Sequence, residues 1–167
     1  MITGTDVSLS FKRSEQELKV LDSISFEIPK GRITAFIGKS GAGKTSLLRC
    51  CASLTEGYTG SIVHDKTEVR LLSPVERAKH IGFVFQQFHL FPHMTVVQNC
   101  IAPQVYTGRL SEEDAEKEAL RLLKLVGLES CAELYPDNLS GGQKQRAAIA
   151  RALMADPELL LLRSEEH

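Results

Sequence analysis

The chain has 167 residues, of which 43% are hydrophobic and 25% charged, the balance of an ordinary globular protein with room for one sizeable core. A formal net charge of -1 removes the basic field by which nucleic-acid binders meet phosphate backbones. No apolar run approaches the ~20 residues that span a bilayer, and Met1 to Asp6 lacks the basic and apolar regions of a secretory leader. The expectation is a soluble, cytoplasmic chain that reaches a membrane only through a partner.

From Val7 to Phe11, and again from Ile24 to Ile28, apolar and polar residues alternate with the period of half-buried strands. Pro29-Lys30-Gly31 supplies a turn. Arg32 to Ile37 is nearly all apolar or β-branched and predicts a strand buried on both faces. A glycine-rich loop follows, then a helix over Lys44 to Ala52. Adjacent Cys50 and Cys51 fall on that helix as small hydrophobes. With Cys100 and Cys131 they make no C-x-x-C pair and no zinc-like spacing. Ile81 to Phe85 reads as a short buried strand.

Ser111-Glu112-Glu113-Asp114 resembles a capping box. Ala115, Ala119, Leu122, Leu123 and Val126 then recur at helical spacing until Gly127, which is placed to end the helix. Ser140 to Met154 predicts another helix, stopped by Asp156-Pro157, and Leu159 to Leu162 begins a last buried strand. This order indicates an α/β fold with a helical insertion between Pro92 and about Asp156.

Two segments carry chemistry. Gly38-Lys39-Ser40-Gly41-Ala42-Gly43-Lys44-Thr45 matches G-x-x-x-x-G-K-[ST] between a predicted strand and a predicted helix, the context the motif requires. Its glycines let backbone N–H groups curl around a phosphate without Cβ clashes. The helix start adds positive potential. Lys44 reaches the β- and γ-phosphates, and the Thr45 hydroxyl can ligate Mg²⁺. A chance match in this length is on the order of one in a few hundred. The second segment is Leu139-Ser140-Gly141-Gly142-Gln143. Ser140 makes sense as a helix N-cap, but two successive glycines weaken a helix just where it must begin. Close approach of the helix start to an anion accounts for them.

Together these segments resemble the ABC ATPase family, and the resemblance covers essentially the whole chain. Leu139 to Gln143 is similar to the family signature, continued by Lys144 to Leu153. The family implies a P-loop fold in which N-terminal antiparallel strands and a parallel core sheet join an α-helical subdomain carrying the signature. On that pattern residues 1–91 form the ATP-binding core, 92–156 the helical subdomain, 157–162 the start of the Walker B strand and 163–167 an atypical tail. Gly38 to Ser46 would hold ATP, with Mg²⁺ on Thr45 and Gln86. Two such domains stack head to tail in the family, so Ser140 and Gly142 would face the γ-phosphate held by a partner copy. Phe11 occupies the position of the residue that stacks on adenine; packing in the strand core is the other reading. Gln86 falls on the glutamine that positions water and Mg²⁺, and its loop contacts the transmembrane permease. Phe85 to Val96 and Leu134-Tyr135-Pro136 resemble the polar amino-acid importers, which also work with a solute-binding protein. His89 and His93 read as surface or capping residues rather than ligands.

The resemblance breaks at the end of the chain. The family continues the Leu159-type strand into Asp-Glu-Pro-Thr, where the aspartate orders Mg²⁺ and the glutamate is the general base. Here Arg163 and Ser164 stand in those places, so the general base is missing. Glu165 and Glu166 come two residues late, about 6–7 Å along an extended chain, and His167 is not the family's switch histidine. The expectation is a truncated or frameshifted chain with an incomplete sheet. Three readings follow: the energising subunit of an importer, a nucleotide-binding module that does not hydrolyse, and a soluble ABC protein acting on nucleic acid. Neutral net charge and the single cassette weigh against the third.

Overall fold

A computed structural model describes residues 1–13 and 16–163. It divides into two compact units, residues 1–77 and residues 78 onward, which are taken in turn.

The first unit is built on an antiparallel sheet of order β2-β1-β3-β4: β1 Ile2–Arg13, β2 Gln16–Ile28, β3 Thr59–His64 and β4 Thr67–Glu68. The alternating stretches Val7–Phe11 and Ile24–Ile28 lie inside the long β1 and β2, which form a hairpin with Phe11 opposite Leu18 and Val7 opposite Ile24. Val7, Leu9, Leu21 and Ile62 are buried. Helix α1 (Lys44–Cys51) buries Leu47, Cys50 and Cys51. Burial pushes the Cys50 thiol up to about 11 and Cys51 to about 12, so both are neutral packing groups, as their placement on the helix suggests. The strands β3 and β4 are joined through Glu68, whose carboxylate accepts from the Ile62 amide at 3.1 Å and from the Ser61 hydroxyl.

One expectation fails here. Arg32 to Ile37 is not a buried strand. It has no regular structure, joins no sheet among the described residues, and leaves Ile33 fully exposed and Ile37 82% exposed. A segment apolar on both faces needs a neighbouring strand on each side to be buried, and the sheet of this unit offers none. Only Phe36 finds an aromatic neighbour, edge-on to Phe26 at 5.7 Å.

The second unit carries β5 (Ile81–Val84) and β6 (Leu159–Leu162) as a two-stranded parallel sheet, with Ile81 opposite Leu159 and Val84 opposite Leu162. Helix α2 (Pro74–His80) leads into β5. Between the strands run α3 (Val96–Tyr106), α4 (Glu112–Leu125) and α5 (Gly141–Leu153), whose apolar faces meet in a core of Val96, Cys100, Ala119, Leu123, Leu128 and Ala150. Strand β5 ends one residue before Phe85. Strand β6 is not wholly buried: Leu161 is covered but Leu162 is 45% exposed, because the sheet has no third strand among the described residues.

The ends of α4 show local chemistry at work. The Ser111 hydroxyl accepts from the Asp114 amide at 3.1 Å, an ordinary N-cap. It is not a reciprocal box, since the Asp114 carboxylate takes the Ser111 O–H at 2.7 Å. At the other end Gly127, with φ 70°, donates to Lys124 and Leu128 donates to Leu123, the paired closure that left-handed glycine permits. Complete capping boxes start α3, through Thr95 and Gln98, and α5, through Ser140 and Gln143. No helix is long and apolar enough to cross a membrane.

Candidate functional site

In the first unit the glycine loop runs out of the irregular segment and into α1. Gly43 is the N-cap residue, left-handed at φ 85° and ψ 1°, and no side chain caps the helix. The first turn of α1 therefore presents backbone N–H groups with the positive end of the helix. Ala42 donates to Lys39 at 3.1 Å to close the loop. The Lys44 ammonium donates to the carbonyls of Gly38 and, at 3.1 Å, Lys39. Lys44, Thr45 and Ser46 are half-buried, while Lys39, Ser40, Gly41 and Ala42 are exposed.

The glycines do different jobs. A Cβ on Gly41 (φ 82°) would meet nothing within 4 Å, so only its backbone angle asks for glycine. A Cβ on Gly43 would lie 2.6 Å from the Val20 carbonyl oxygen and 2.9 Å from Leu21 Cδ2; this glycine lets α1 close on β2. Opposite Leu18 on the same hairpin, Phe11 is 46% exposed. The core reading of Phe11 is thus excluded by its exposure. An open, left-handed loop, an uncapped helix start and a lysine over the loop fit a polyphosphate. The half-buried Thr45 hydroxyl beside them suits a hard cation such as Mg²⁺.

In the second unit Gln86 sits in the exposed turn directly after β5. The signature residues begin α5, and they separate into two kinds. Leu139 is buried in the helical core. Gln143 is spent on the cap: its Oε1 accepts from the Ser140 amide at 2.8 Å, and its own amide donates to the Ser140 hydroxyl at 3.3 Å. Ser140, Gly141 and Gly142 are exposed. A Cβ on Gly141 would meet nothing within 4 Å, and one on Gly142 only the end of Arg146 at 3.8 Å. Among the described residues nothing requires glycine at either position.

Two residues that shape this site carry no motif. Asn99, 1% exposed on α3, accepts from the Phe91 amide at 2.7 Å and donates to the carbonyls of Phe91, Met94 and Thr95 at 3.0–3.1 Å. Arg151 on α5 donates to the carbonyls of Phe88 (2.8 Å) and His89 (2.6 Å). A buried polar residue among the apolar positions of α3 is a readable signal for Asn99; an arginine near the end of a helix reads only as a solvated cation. His89 and His93 are exposed, His89 stacking on Phe85 at 4.6 Å.

Just past the end of β6 the Arg163 amide donates to the Val84 carbonyl at 3.1 Å, completing the bonding of the last strand pair, Val84 and Leu162. A guanidinium offers no lone pair to Mg²⁺, so this residue does not fit the metal-ordering role. Ser164, Glu165, Glu166 and His167 lie outside the described residues.

With the geometry in place, comparison with known proteins gives a consistent result. The family model described as ABC transporter matches residues 21–163. The methionine import ATP-binding protein MetN 1 of Lactiplantibacillus plantarum is 42% identical over 159 residues, covering 93% of this chain and 44% of that protein. The L-cystine import ATP-binding protein TcyC of Bacillus subtilis is 40% identical over 167 residues, covering 96% of this chain and 66% of that protein. The chain thus spans between about half and two thirds of the length of these relatives. Among solved structures, the ATP-binding cassette MJ0796, a dimer in a post-hydrolysis state bound to ADP and Pi, superposes with a TM-score of 0.87 at 35% identity, covering 97% of this chain and 73% of that one.

Proposed function

Since this chain belongs to the ABC transporter family, we propose that it is an ATP-binding subunit that powers import of a polar amino acid. The observation that carries the reading is the open glycine loop ahead of the uncapped helix α1, with Lys44 over it. The backbone N–H groups of the loop and of the first turn of α1 bind the phosphates. Lys44 balances their charge, and the exposed Phe11 lies against the base. Thr45 and Gln86 hold Mg²⁺, which when bound neutralises charge on the phosphate oxygens. Ser140 and Gly142 face the nucleotide of a second copy stacked head to tail. Residues 92–156 act as the helical subdomain, and the loop after Gln86 docks on permease subunits at the inner face of the membrane. A solute-binding protein delivers the amino acid to those subunits. Methionine and cystine, the solutes named for the relatives, are the first to test.

A specific observation favours a second reading for hydrolysis. Arg163 stands where the family orders Mg²⁺ with an aspartate, and Ser164 where it places its general base; serine is too weak a base to substitute. We infer that the chain binds Mg-ATP and does not turn it over. Titration of the purified protein with a fluorescent ATP analogue, beside Lys44→Ala, tests the first reading. Saturable binding that weakens about tenfold or more in the variant, as expected for a lost charge-assisted contact, supports it; equal binding by both proteins overturns it. Phosphate release by the same samples tests the second, which fails if release exceeds background and depends on Lys44. Uptake of labelled methionine and cystine in bacteria deleted for the corresponding ATP-binding subunit tests the transport role.

A further inference from the structure

Phe88 and His89 are consecutive non-glycine residues with φ of 58° and 46°, in the left-handed region that costs an L-residue with a bulky side chain energy at each position. The turn's own hydrogen bonds, Phe88 to the Phe85 carbonyl at 3.1 Å and His89 to the Gln87 carbonyl at 2.6 Å, close it locally. They do not oblige both residues to remain left-handed. What over-determines the conformation comes from α5. One guanidinium, Arg151, sends Nη2 to the Phe88 carbonyl and Nη1 to the His89 carbonyl. A planar fork with two donors in fixed directions matches two successive carbonyls turned to the same side, as two left-handed residues turn them. Burial of Arg151 holds its pKa below the usual arginine value; its bond to Phe88 is partly buried and its bond to His89 is exposed. Downstream, Asn99 pins the backbone of Phe91, Met94 and Thr95 to α3. The segment is therefore fixed at both ends, and Gln86 lies in the short turn between β5 and the Arg151 clamp.

The same α5 begins at Ser140, eleven residues earlier and so roughly 16 Å along the helix axis. A helix is stiff over that length, and a displacement at its start reaches Arg151 undiminished. We propose that Arg151 is a positioning residue that couples the start of α5 to Gln86, holding residues 86–90 in a turn strained at the left-handed Phe88 and His89, which follows α5 when the helix moves. The proposal rests on the reading that Gln86 and the start of α5 act on nucleotide, but the clamp itself can be measured without nucleotide.

Hydrogen exchange on the full chain, followed by mass spectrometry, is the test. In Arg151→Ala and in Arg151→Lys, which keeps the charge but not the fork, residues 86–90 should exchange about tenfold faster or more, the factor of one charge-assisted hydrogen bond. Residues 115–123 of α4 should exchange as in the wild type. If Arg151→Ala also speeds α4, the unit has opened as a whole, and Arg151→Lys decides. Wild-type exchange at residues 86–90 in the deciding variant overturns the proposal. The double variant Phe88→Gly, His89→Gly removes the strain; adding Arg151→Ala to it should speed the turn by much less. An equal effect in both backgrounds overturns the role assigned to strain. With Mg-ATP, the phosphate loop at residues 40–46 should be protected in the wild type and in Arg151→Lys, while protection of residues 86–90 is lost in the variant. Protection of residues 86–90 retained in the variant overturns the coupling. No protection of residues 40–46 in the wild type overturns the nucleotide reading, and the nucleotide-free comparison still decides the clamp.

Discussion

Replacing Gly141 and Gly142 together by alanine separates the needs of the fold from those of the ligand. Both glycines have ordinary helical backbone angles, since neither is among the residues with positive φ. Added Cβ atoms would meet nothing at Gly141 and only the flexible end of Arg146, at 3.8 Å, at Gly142. The substitutions therefore introduce no strain and remove unfolded-state freedom, a gain of about 0.5 kcal/mol each at the low end for a helix terminus. A sum near 1 kcal/mol raises the melting temperature of a domain this size by about 2–4 °C. Circular dichroism at the helical band measures the melt. Sedimentation with Mg-ATP measures association of two copies; if Ser140 and Gly142 face a partner's nucleotide as proposed, the added methyl groups should weaken it by about tenfold or more. A variant that melts lower than the wild type would show that the chain itself needs these glycines. Unchanged association would show that nothing approaches them. Either result refutes the reasoning.

Gly43→Ala combines left-handed strain with a contact 2.6 Å from the Val20 carbonyl and should cost about 2 kcal/mol or more in urea unfolding. Gly41→Ala should cost only its backbone strain, about 1 kcal/mol. Asn99→Ala removes the side-chain partner of the Phe91 amide and of the Met94 carbonyl, while the Phe91 and Thr95 carbonyls keep backbone donors, and should lower stability by about 2–3 kcal/mol, again by urea midpoint. The buried thiols predict the alkaline limb. Cys50 is raised to about 11 and Cys51 and Cys100 to about 12, from 9.0, by burial. Above pH 9 the unfolded chain loses protons that the folded chain keeps, so stability is intact below pH 9 and falls as pH rises through 9 to 12. Urea midpoints that stay level across that window would count against the burial of all three.

What could be read from the residues was what depends on local pattern. The period of Ala115, Ala119, Leu122 and Leu123 marked α4, and glycine at position 127 marked its end, because helix burial and left-handed closure are dictated by neighbours a few positions away. The glycine loop's turns were legible for the same reason: Gly41 and Gly43, left-handed at φ 82° and 85°, lie within eight consecutive residues. The role of Arg151 was not, because its partners are backbone carbonyls more than sixty residues earlier in the chain, and a carbonyl has no residue identity to recognise. Ser140 was legible as an N-cap, but the return bond from Gln143 was not. Gln143 and Ser140 satisfy each other in the capping box, so part of a motif that looks directed at a ligand is directed at its own helix.

The irregular Arg32–Ile37 segment shows the limit of reading burial from hydrophobicity. A run that is apolar on both faces states what the segment would need, two flanking strands, and not that the strands are there. With Ile33 and Ile37 exposed, the phosphate loop has different support at its two ends. On the far side, α1 is seated on β2 through the Gly43–Val20 approach and buries Leu47, Cys50 and Cys51. On the near side, Phe36 against Phe26 is the one aromatic contact among the described residues of the segment. The loop's geometry is therefore set from α1 backwards: Gly43 places the helix, the uncapped first turn places the N–H groups, and Lys44 draws in the carbonyls of Gly38 and Lys39. That order explains how the glycine loop takes its shape while the strand expected to lead into it does not form, and why strain at Gly43 should disturb the loop more than strain at Gly41.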